Sequence, residues 1–294
     1  MKILICTHGS EQARRAVLLG ASIAAPSEAK VILMGIQEKQ RGNVAAGLRW
    51  AEATLTARGI TPEVIEKSGD SIREIANWTR ANHPDVVVIG GVRKRFGRTY
   101  ALSYKADKLA QKLDAAVLMS IGEHEQVTRM VVCTGGKGYI EDSLDLLGEI
   151  ARSCHARVTL LHVLPAPPAF YASLPHWQEL TAGILTAKSA LAEALHRQQQ
   201  ALTKMDVTAE IKIRQGSIFE EILREMREVN ADLLVVGSTV SRNPFTSYVL
   251  GDVTRELLHR IDRPVLLVRS RVRKSARFFG LTKLFGRKRN QKAS

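Results

Sequence analysis

The chain has 294 residues and a formal net charge of +14; 45% of its residues are hydrophobic and 5% are aromatic. This length suits two domains of about 120–150 residues, the apolar content excludes wholesale disorder, and the scarcity of aromatic residues argues against a base-stacking surface for single-stranded nucleic acid. The charge is concentrated at the end of the chain, because residues 269–294 carry six Arg, four Lys and no acid, which leaves +4 for the remainder.

The first half of the chain alternates short apolar runs with amphipathic segments, a pattern typical of an α/β fold. Strands are predicted at Lys2–Thr7, Lys30–Ile36, Glu63–Lys67, Asp85–Ile89 and Ala116–Met119, and helices from Ser10 to Ala24, at Val44–Ala57, from Ser71 to Asn82 and at Leu102–Leu113. Ser10 is the predicted N-cap of the first helix. The fourth strand ends in Gly90-Gly91, and a basic loop, VRKRFGR, follows it.

The second half of the chain repeats the first. Segments Arg129–Thr134, Gly216–Ile222, Asp232–Gly237 and Val265–Val268 match Lys2–Thr7, Gly69–Ile75, Asp85–Gly90 and Val117–Ser120 at shifts of 127, 147, 147 and 148 residues. A period this long indicates a tandem domain duplication and not a solenoid. Each copy reads β-α-β-α-β-α-β-α-β, which predicts a five-stranded parallel sheet with right-handed crossovers and helices on both faces.

The predicted organisation is therefore two domains and a tail. Domain 1 covers residues 1–121, domain 2 covers residues 128–269, and residues 270–294 form a basic tail. The linker, Ile121–Val127, is short and polar, so we expect the two domains to pair within the chain as a pseudo-twofold unit. A homo-oligomer of such pairs is left open.

Several segments together resemble the universal stress protein family, in tandem form, from Met1 to Arg269. They are KILICTHGSE (2–11), GDSIREI (69–75), GSIFEEI (216–222), ADLLVVGS (231–238) and RELLHRIDRPVLLVR (255–269). The resemblance implies a Rossmann-like, adenine-nucleotide alpha-hydrolase-like sheet in each domain and a tendency to dimerise. It also implies a stress-related role, since some members bind ATP and others lack the nucleotide motif.

The resemblance also implies where a nucleotide would bind in domain 2. ATP-binding members end their first strand in Asp and follow their fourth strand with Gly, two residues, Gly, nine residues, then Gly-Ser or Gly-Thr. Small residues let the backbone N–H groups approach phosphate oxygens. The matching or neighbouring candidates for cofactor binding in domain 2 are Thr134, Gly135, Gly136, Lys137, Gly237, Ser238, Gly251 and Thr254.

Domain 2 departs from that motif at several positions. Val240 replaces the second Gly, Asp252 replaces the hydroxyl residue, and the spacing is one residue longer. The glycine-rich stretch around Lys137 either approaches an anion or is a plain turn. Thr254 either lines the site or caps the following helix. These changes predict that ordinary ATP binding is lost, with an ATP site in domain 2 as the alternative.

Domain 1 departs further. Gly90 and Gly91 keep the strand-ending glycines, but Arg93 takes the second Gly position and His8 replaces the strand-one Asp, while Ser103 stands at the third Gly. The candidates here are Gly90, Gly91, Arg93 and Arg95. Either the arginines form an anion site through side-chain charge, or they are a solvated basic loop that docks a partner.

No motif for catalysis or metal binding is present. The sequence lacks HExxH, CxxC, a Walker lysine motif and GxSxG, and its three cysteines lie in apolar runs typical of buried reduced thiols. His155 and His162 are interpreted as core or edge histidines. The four acids Glu220, Glu221, Glu225 and Glu228, beside Arg224 and Arg227, predict surface ion pairs along one helix. We therefore expect no enzyme activity and no metal, and a regulatory or scaffolding role.

The chain begins with a strand-like run, and no apolar run approaches the roughly 18 residues of a membrane span. We therefore expect a cytoplasmic, soluble protein. In the tail, Phe278, Leu281 and Phe285 fall at helical spacing among Arg and Lys. This pattern predicts a segment that is disordered when free and docks through Arg269–Lys292 on an anionic membrane surface or an acidic protein, with nucleic acid less favoured.

Overall fold

The structure is a computed structural model, and it describes residues 1–38, 43–90, 92–96, 99–135, 140–165, 189–240, 248–249 and 252–269. For residues 92–96, 99–102, 239–240, 248–249 and 252 it describes the backbone alone. The predicted tail and the residues Gly91, Gly136, Lys137 and Gly251 lie outside the described residues.

Domain 1 contains the strands and helices that the sequence predicts, with one addition between the fourth strand and the last helix. Its elements are β1 (Lys2–Thr7), α1 (Glu11–Ala24), β2 (Lys30–Gln37), α2 (Val44–Thr56), β3 (Glu63–Ser68), α3 (Ser71–Asn82), β4 (Val86–Gly90), β5 (Val92–Phe96), β6 (Thr99–Leu102), α4 (Tyr104–Lys112) and β7 (Ala116–Ser120).

Domain 2 repeats this order over the residues that the structure describes. Its elements are β8 (Arg129–Cys133), a short 3-10 turn (Glu141–Ser143), α5 (Leu144–Ser153), β9 (Arg157–Pro165), α6 (Ala190–Thr203), β10 (Ala209–Gly216), α7 (Ile218–Glu228), β11 (Leu233–Val240), β12 (Tyr248–Val249), α8 (Asp252–Arg260) and β13 (Val265–Arg269).

A single large sheet runs through both domains, in the order β10-β9-β8-β11-β13-β7-β4-β1-β2-β3. Within each domain the five strands are parallel, and the first and fourth strands of the copy lie side by side at the centre. Parallel strands covered on both faces read as continuous apolar runs, which is why these strands stand out in the sequence. In such sheets ligands bind outside the carboxyl ends of the strands, where the strand order reverses.

The two domains join at the last strand of each copy. β7 and β13 pair antiparallel, with Leu118 opposite Leu266 at the centre of the register. The arrangement is reciprocal, because the backbone of β6 in domain 1 lies beside α8 of domain 2, and the backbone of β12 in domain 2 lies beside α4 of domain 1. The sequence predicts that the domains pair, but it does not predict that they share one sheet.

The hydrophobic core consists of two layers, one on each face of this sheet, and each layer crosses from one domain to the other. The first layer contains residues of α1, α2, α5 and α6, and the second contains residues of α3, α4, α7 and α8. Leu118 and Leu266 belong to the first layer, while Val117 and Leu267 belong to the second. Apolar burial, the main driving force of folding, is therefore continuous across the domain boundary.

Backbone turns repeat with the strands. Eight residues in the left-handed region occur in corresponding pairs, which are Glu28 and His155, Gly59 and Asp206, Gly69 and Gly216, and His83 and Asn230. The first pair is separated by 127 residues and the others by 147, as in the sequence alignment of the two copies. In three of the pairs the left-handed residue follows a helix, where such residues help to satisfy the last carbonyl groups, while Gly69 and Gly216 stand at the ends of β3 and β10. His155 therefore occupies an exposed helix-ending turn.

The basic segment after β4 is a β-hairpin and not the predicted loop. β5 contains Arg93 and Arg95 and pairs antiparallel with β6. The segments contain residues that favour extended backbone, with Val92 and Phe96 in β5 and Tyr100 in β6. Helix α4 consequently begins at Tyr104, two residues later than predicted.

The sequence predicts that the acidic side chains of α7 form surface ion pairs. In the structure some of them also form a buried ion-pair cluster. Arg214 of β10 reaches three of them and lies within 3.4 Å of Glu221, and it also pairs with Glu225 and Glu228. The Glu225 side chain is only 2% exposed. A buried carboxylate requires a partner, and Arg214 supplies it from the neighbouring strand.

Replacing Arg214 by Lys is expected to lower the free energy of unfolding by about 1.5 kcal/mol, because a compact ammonium cannot reach all three carboxylates as the extended planar guanidinium does. Lys stands at the corresponding position of domain 1, as Lys67, and pairs there with Glu74. Urea unfolding measures the change. Arg224→Lys is the control, since Arg224 is 59% exposed; equal losses in both variants would contradict the buried role of Arg214.

Candidate functional site

A cavity of about 310 Å³ opens at the carboxyl edge of the domain 1 strands. It lies where the strand order reverses, between the ends of β1, β2 and β4 and the first turns of α1, α3 and α4. Its floor is apolar and consists of Met34, Ile36, Ile75, Ile89 and Leu109. Concave, mostly apolar sites with a few placed polar groups are typical of small-molecule binding.

The rim of the cavity carries an ion pair. Glu38 directly follows β2, Lys105 lies in the first turn of α4, and the Lys105 ammonium donates a hydrogen bond to the Glu38 carboxylate. The backbone N–H of Ser71, the first residue of α3, also donates to Glu38, at 3.3 Å. A carboxylate at a helix N-terminus is favoured by the helix dipole.

Side-chain caps fix the helices that surround this pair. The Ser103 hydroxyl accepts a hydrogen bond from the N–H of Ala106 at 3.1 Å, and the Ser10 hydroxyl accepts one from the N–H of Ala13 at 3.3 Å. Both cap residues line the cavity. These caps fix the first turns of α4 and α1 at the rim. They thereby also fix the position of Lys105 and of the cavity wall.

The ionisation of Glu38 reflects these contacts. Burial acts to raise the pKa of its carboxyl group, but hydrogen bonds from Lys105 and Ser71 and the charge of Lys105 outweigh burial and lower the pKa from 4.5 to about 2. At neutral pH the side chain is an anion, and it is bonded to the Lys105 ammonium and to the N-terminus of α3.

Because the pKa of Glu38 is lower in the folded state, its contribution to stability is complete above pH 4.5 and is lost as the pH falls toward about 2. Wild-type protein and Glu38→Gln are expected to differ in free energy of unfolding near pH 7 and to converge near pH 2. Urea unfolding at several pH values measures this difference. A gap between the two proteins that stays constant from pH 7 to pH 2 would contradict the assignment.

The predicted domain 1 candidates are placed as follows. Gly90 lines the cavity, together with His8 and Ser103. A Cβ atom on Gly90 would lie 2.9 Å from the carbonyl oxygen of Gln12. The close approach of α1 therefore explains the glycine at this position, and phosphate binding is not needed to explain it. Arg93 and Arg95 lie in β5, where only the backbone is described.

Among the domain 2 candidates, Thr134 follows the end of β8 and is buried. The Nδ1 atom of His162, on β9, lies 2.8 Å from the Thr134 carbonyl oxygen and 3.3 Å from its hydroxyl oxygen. Because a carbonyl oxygen only accepts, Nδ1 carries the proton. Gly135 is exposed, and it is the last described residue before the stretch that contains Lys137.

Ser238, the predicted hydroxyl of the phosphate cradle, is 2% exposed and takes part in a buried hydrogen-bond network. Its hydroxyl donates to the carbonyl of Val268 at 3.1 Å and accepts from the guanidinium of Arg269 at 2.8 Å. The same guanidinium donates to the carbonyl oxygens of Ala110, at 2.7 Å, and Ala115, at 2.9 Å. The network therefore ties the edge of domain 2 to the end of α4 in domain 1.

Two sequence assignments are corrected by this region. Arg269 was assigned to the docking segment of the tail, but it ends β13 and is only 6% exposed. Thr254 has two predicted roles, lining the site or capping its helix; α8 begins at Asp252, so Thr254 lies within the first turn, is buried and does not cap the helix. Arg269 is assigned to the tail because it adjoins a run of basic residues, and its acceptors in domain 1 cannot be identified from the sequence.

Glu38 and Lys105 are not among the residues predicted for the site, and Arg269 is predicted only as the start of the docking segment. Two local signals point to the first pair: Glu38 immediately follows an apolar strand, and Lys105 follows a Ser that begins a helix. Both signals place the side chains at the same edge of the sheet. No local signal marks Arg269, because its two acceptors in domain 1, Ala110 and Ala115, lie more than 150 residues away.

The cysteines are not activated. Burial raises the pKa of Cys6 and Cys133 to about 12, and burial followed by the charge of Asp232 raises the pKa of Cys154 to about 11. The thiolate is the nucleophilic and metal-binding form, and these groups are thiols at neutral pH. Within the described residues, no cluster of His, Cys, Asp and Glu could hold a metal ion, and no helix is long and apolar enough to cross a membrane.

Comparison with known proteins gives a consistent result. The family model described as the universal stress protein family matches residues 1–120 and again residues 126–269. A universal stress protein from Archaeoglobus fulgidus DSM 4304 superimposes with a TM-score of 0.67 at 15% identity, over 91% of this chain and 98% of that one. A protein from Pseudomonas aeruginosa UCBPP-PA14, also described as a universal stress protein, gives 0.62 at 16% identity, over 91% and 92%. A search of curated proteins gives no significant match.

Proposed function

Because the chain belongs to the universal stress protein family, we propose that it is a non-enzymatic regulatory protein of the stress response. In this proposal domain 1 binds a small ligand in the cavity at the carboxyl edge of its strands. Both nucleotide motifs are degraded, and domain 2 supports domain 1 through the shared sheet.

One observation carries this proposal, namely the cavity with a polar pair above an apolar floor. Its volume of about 310 Å³ is at the lower end of the range for small-molecule sites, about 300–1,000 Å³. The apolar floor is repeated in domain 2, but the ion pair is not, because Val253 and Pro165 stand where domain 1 has Lys105 and Glu38. This asymmetry supports a binding role specific to domain 1.

The charge of the cavity argues against a nucleoside triphosphate. Among the described lining residues, Lys105 is the single lysine or arginine, and Glu38 balances it. A triphosphate carries several negative charges and needs several cationic or backbone donors. In domain 2 the Ser238 hydroxyl is already bonded to Arg269 and Val268, which supports the same conclusion.

Isothermal titration with ATP and Mg²⁺ tests this part of the proposal. We expect no micromolar binding by the full-length protein. Micromolar binding that Gly251→Arg abolishes would contradict the proposal and favour the alternative function, an adenine-nucleotide sensor that uses domain 2. Micromolar binding that Lys105→Met abolishes would instead place a nucleotide in domain 1.

The tail, residues 270–294, adds a second element to the proposal. Its Arg and Lys residues surround Phe278, Leu281 and Phe285, a composition suited to an anionic membrane surface. We propose peripheral membrane docking through this segment. Co-sedimentation with anionic liposomes should retain the full-length protein and not a form truncated after Arg269; equal partitioning of the two forms would refute it. An affinity for nucleic acid that decreases steeply with salt concentration would favour nucleic acid as the partner of the tail.

A further inference from the structure

We propose that Glu38 is a built-in occupant of an anion subsite in domain 1, and that the cavity accepts an apolar molecule with a single carboxylate, which replaces Glu38 on Lys105. This inference rests on the proposed function, since it specifies the ligand of the same cavity. It assigns to this chain an organic monocarboxylate in place of a nucleotide.

The contacts of Glu38 define the subsite. Its carboxylate accepts a hydrogen bond from the Lys105 ammonium and another from the N–H of Ser71 at the start of α3. An ammonium and a helix N-terminus are the groups that bind a foreign carboxylate in many proteins. Glu38 uses both, so it occupies the position that the head of an anionic ligand would take.

The charge balance selects a monoanion. When Glu38 turns away, Lys105 is the single lysine or arginine among the described lining residues. A single carboxylate restores the balance that Glu38 provides, whereas a phosphate dianion or a polyphosphate would bring excess charge into a site that is partly removed from water.

The floor of the cavity selects an apolar body. Met34, Ile36, Ile75, Ile89 and Leu109 line the cavity, and all five are buried. These side chains offer no hydrogen-bond partner to sugar hydroxyls, and burial of an alkyl group against them contributes about 0.8 kcal/mol for each CH₂. The ligand class that fits both parts is an amphipathic organic acid.

Glu38 is placed so that it can leave. Its side chain is 21% exposed and that of Lys105 is 35% exposed, so the pair lies at the mouth of the cavity and not below it. The low pKa of Glu38 keeps its side chain charged at neutral pH, which makes it a competitor for the subsite. A ligand therefore binds with an affinity reduced by the fraction of molecules in which Glu38 occupies the subsite.

Removal of this competitor provides the test. Isothermal titration of the full-length protein uses three probes with one alkyl chain and different heads: octanoate, 1-octanol and octylammonium. The proteins are wild type, Glu38→Gln and Lys105→Met, each checked for folding by thermal unfolding. We expect Glu38→Gln to bind octanoate about tenfold more tightly than wild type, and Lys105→Met to lose octanoate binding. The affinity for 1-octanol should be the same in all three proteins.

The neutral probe separates the two proposals. If 1-octanol binds but Glu38→Gln does not strengthen octanoate binding, the anion subsite is refuted and the cavity remains a ligand site. If octylammonium binds best and Glu38→Gln abolishes it, the pair selects a cation and the inference is wrong. If no probe binds any of the three proteins, both the inference and the proposed ligand cavity are refuted.

Discussion

Replacing Arg269 by Met is expected to lower the free energy of unfolding by about 3 to 4 kcal/mol. The substitution keeps the apolar stem but removes the donors to Ala110, Ala115 and Ser238, which are acceptors in a buried site. A buried acceptor without a donor costs about 1 to 3 kcal/mol. Two of these acceptors belong to domain 1, so the loss should weaken the seam between the domains. Urea unfolding of the full-length protein measures the effect.

Two controls isolate the role of Arg269. Arg197→Met removes an exposed arginine whose partner is Glu193 on the same helix, and it should change stability by no more than about 0.5 kcal/mol. A chain truncated after Arg269 loses the other nine basic residues of the tail and should keep wild-type stability. If truncation destabilises the protein and Arg269→Met does not, Arg269 belongs functionally to the tail, contrary to the structure.

Replacing Gly122 by Ala should destabilise the protein by about 3 kcal/mol or more, because a Cβ atom there would lie only 2.0 Å from the carbonyl oxygen of Asp262. Gly122 belongs to the linker, has a φ of +72° and its own carbonyl accepts a hydrogen bond from Arg15 at 3.0 Å. The linker is thus clamped between the two domains, and a side chain would force them apart. Thermal unfolding measures the loss.

Gly59→Ala is the matched control for the linker substitution. Gly59 has nearly the same backbone angle, with a φ of +77°, but no atom lies within 4 Å of the position of an added Cβ. Its replacement therefore introduces the conformational strain alone, about 1 to 2 kcal/mol. If the two alanine variants lose the same stability, the close contact between the linker and domain 2 is not significant.

The fold could be predicted because its determinants are local and repeated. Apolar runs such as Lys2–Thr7 and Arg129–Cys133 define the central strands; the matching glycine ends β4 at Gly90, whereas β11 continues past Gly237 to Val240. The hairpin formed by β5 and β6 was missed, because charged residues there obscure the alternation that predicts a strand. The continuous sheet was missed as well, since pairing of β7 with β13 depends on contacts between two distant segments.

The candidate site could be predicted in position but not in composition. The carboxyl edge follows from the strand order, and the Gly90 and Ser103 positions were found there. The Glu38–Lys105 pair joins residues 67 positions apart on different elements, and no periodicity connects them. Ser238 shows the reverse case: its position matches a phosphate motif, but its hydroxyl is bonded to Arg269, a residue that sequence composition assigns to the tail.

The central claim is that domain 1 holds the ligand site and that domain 2 does not. The most direct measurement compares the small molecules extracted from purified wild type, Ala106→Phe and Thr254→Phe by mass spectrometry. Ala106 lines the domain 1 cavity and Thr254 is its buried counterpart in α8, so each phenylalanine fills the same place in one domain. We predict a bound organic acid in wild type and Thr254→Phe that is absent from Ala106→Phe. Identical extracts from all three proteins, or a loss confined to Thr254→Phe, would contradict the claim.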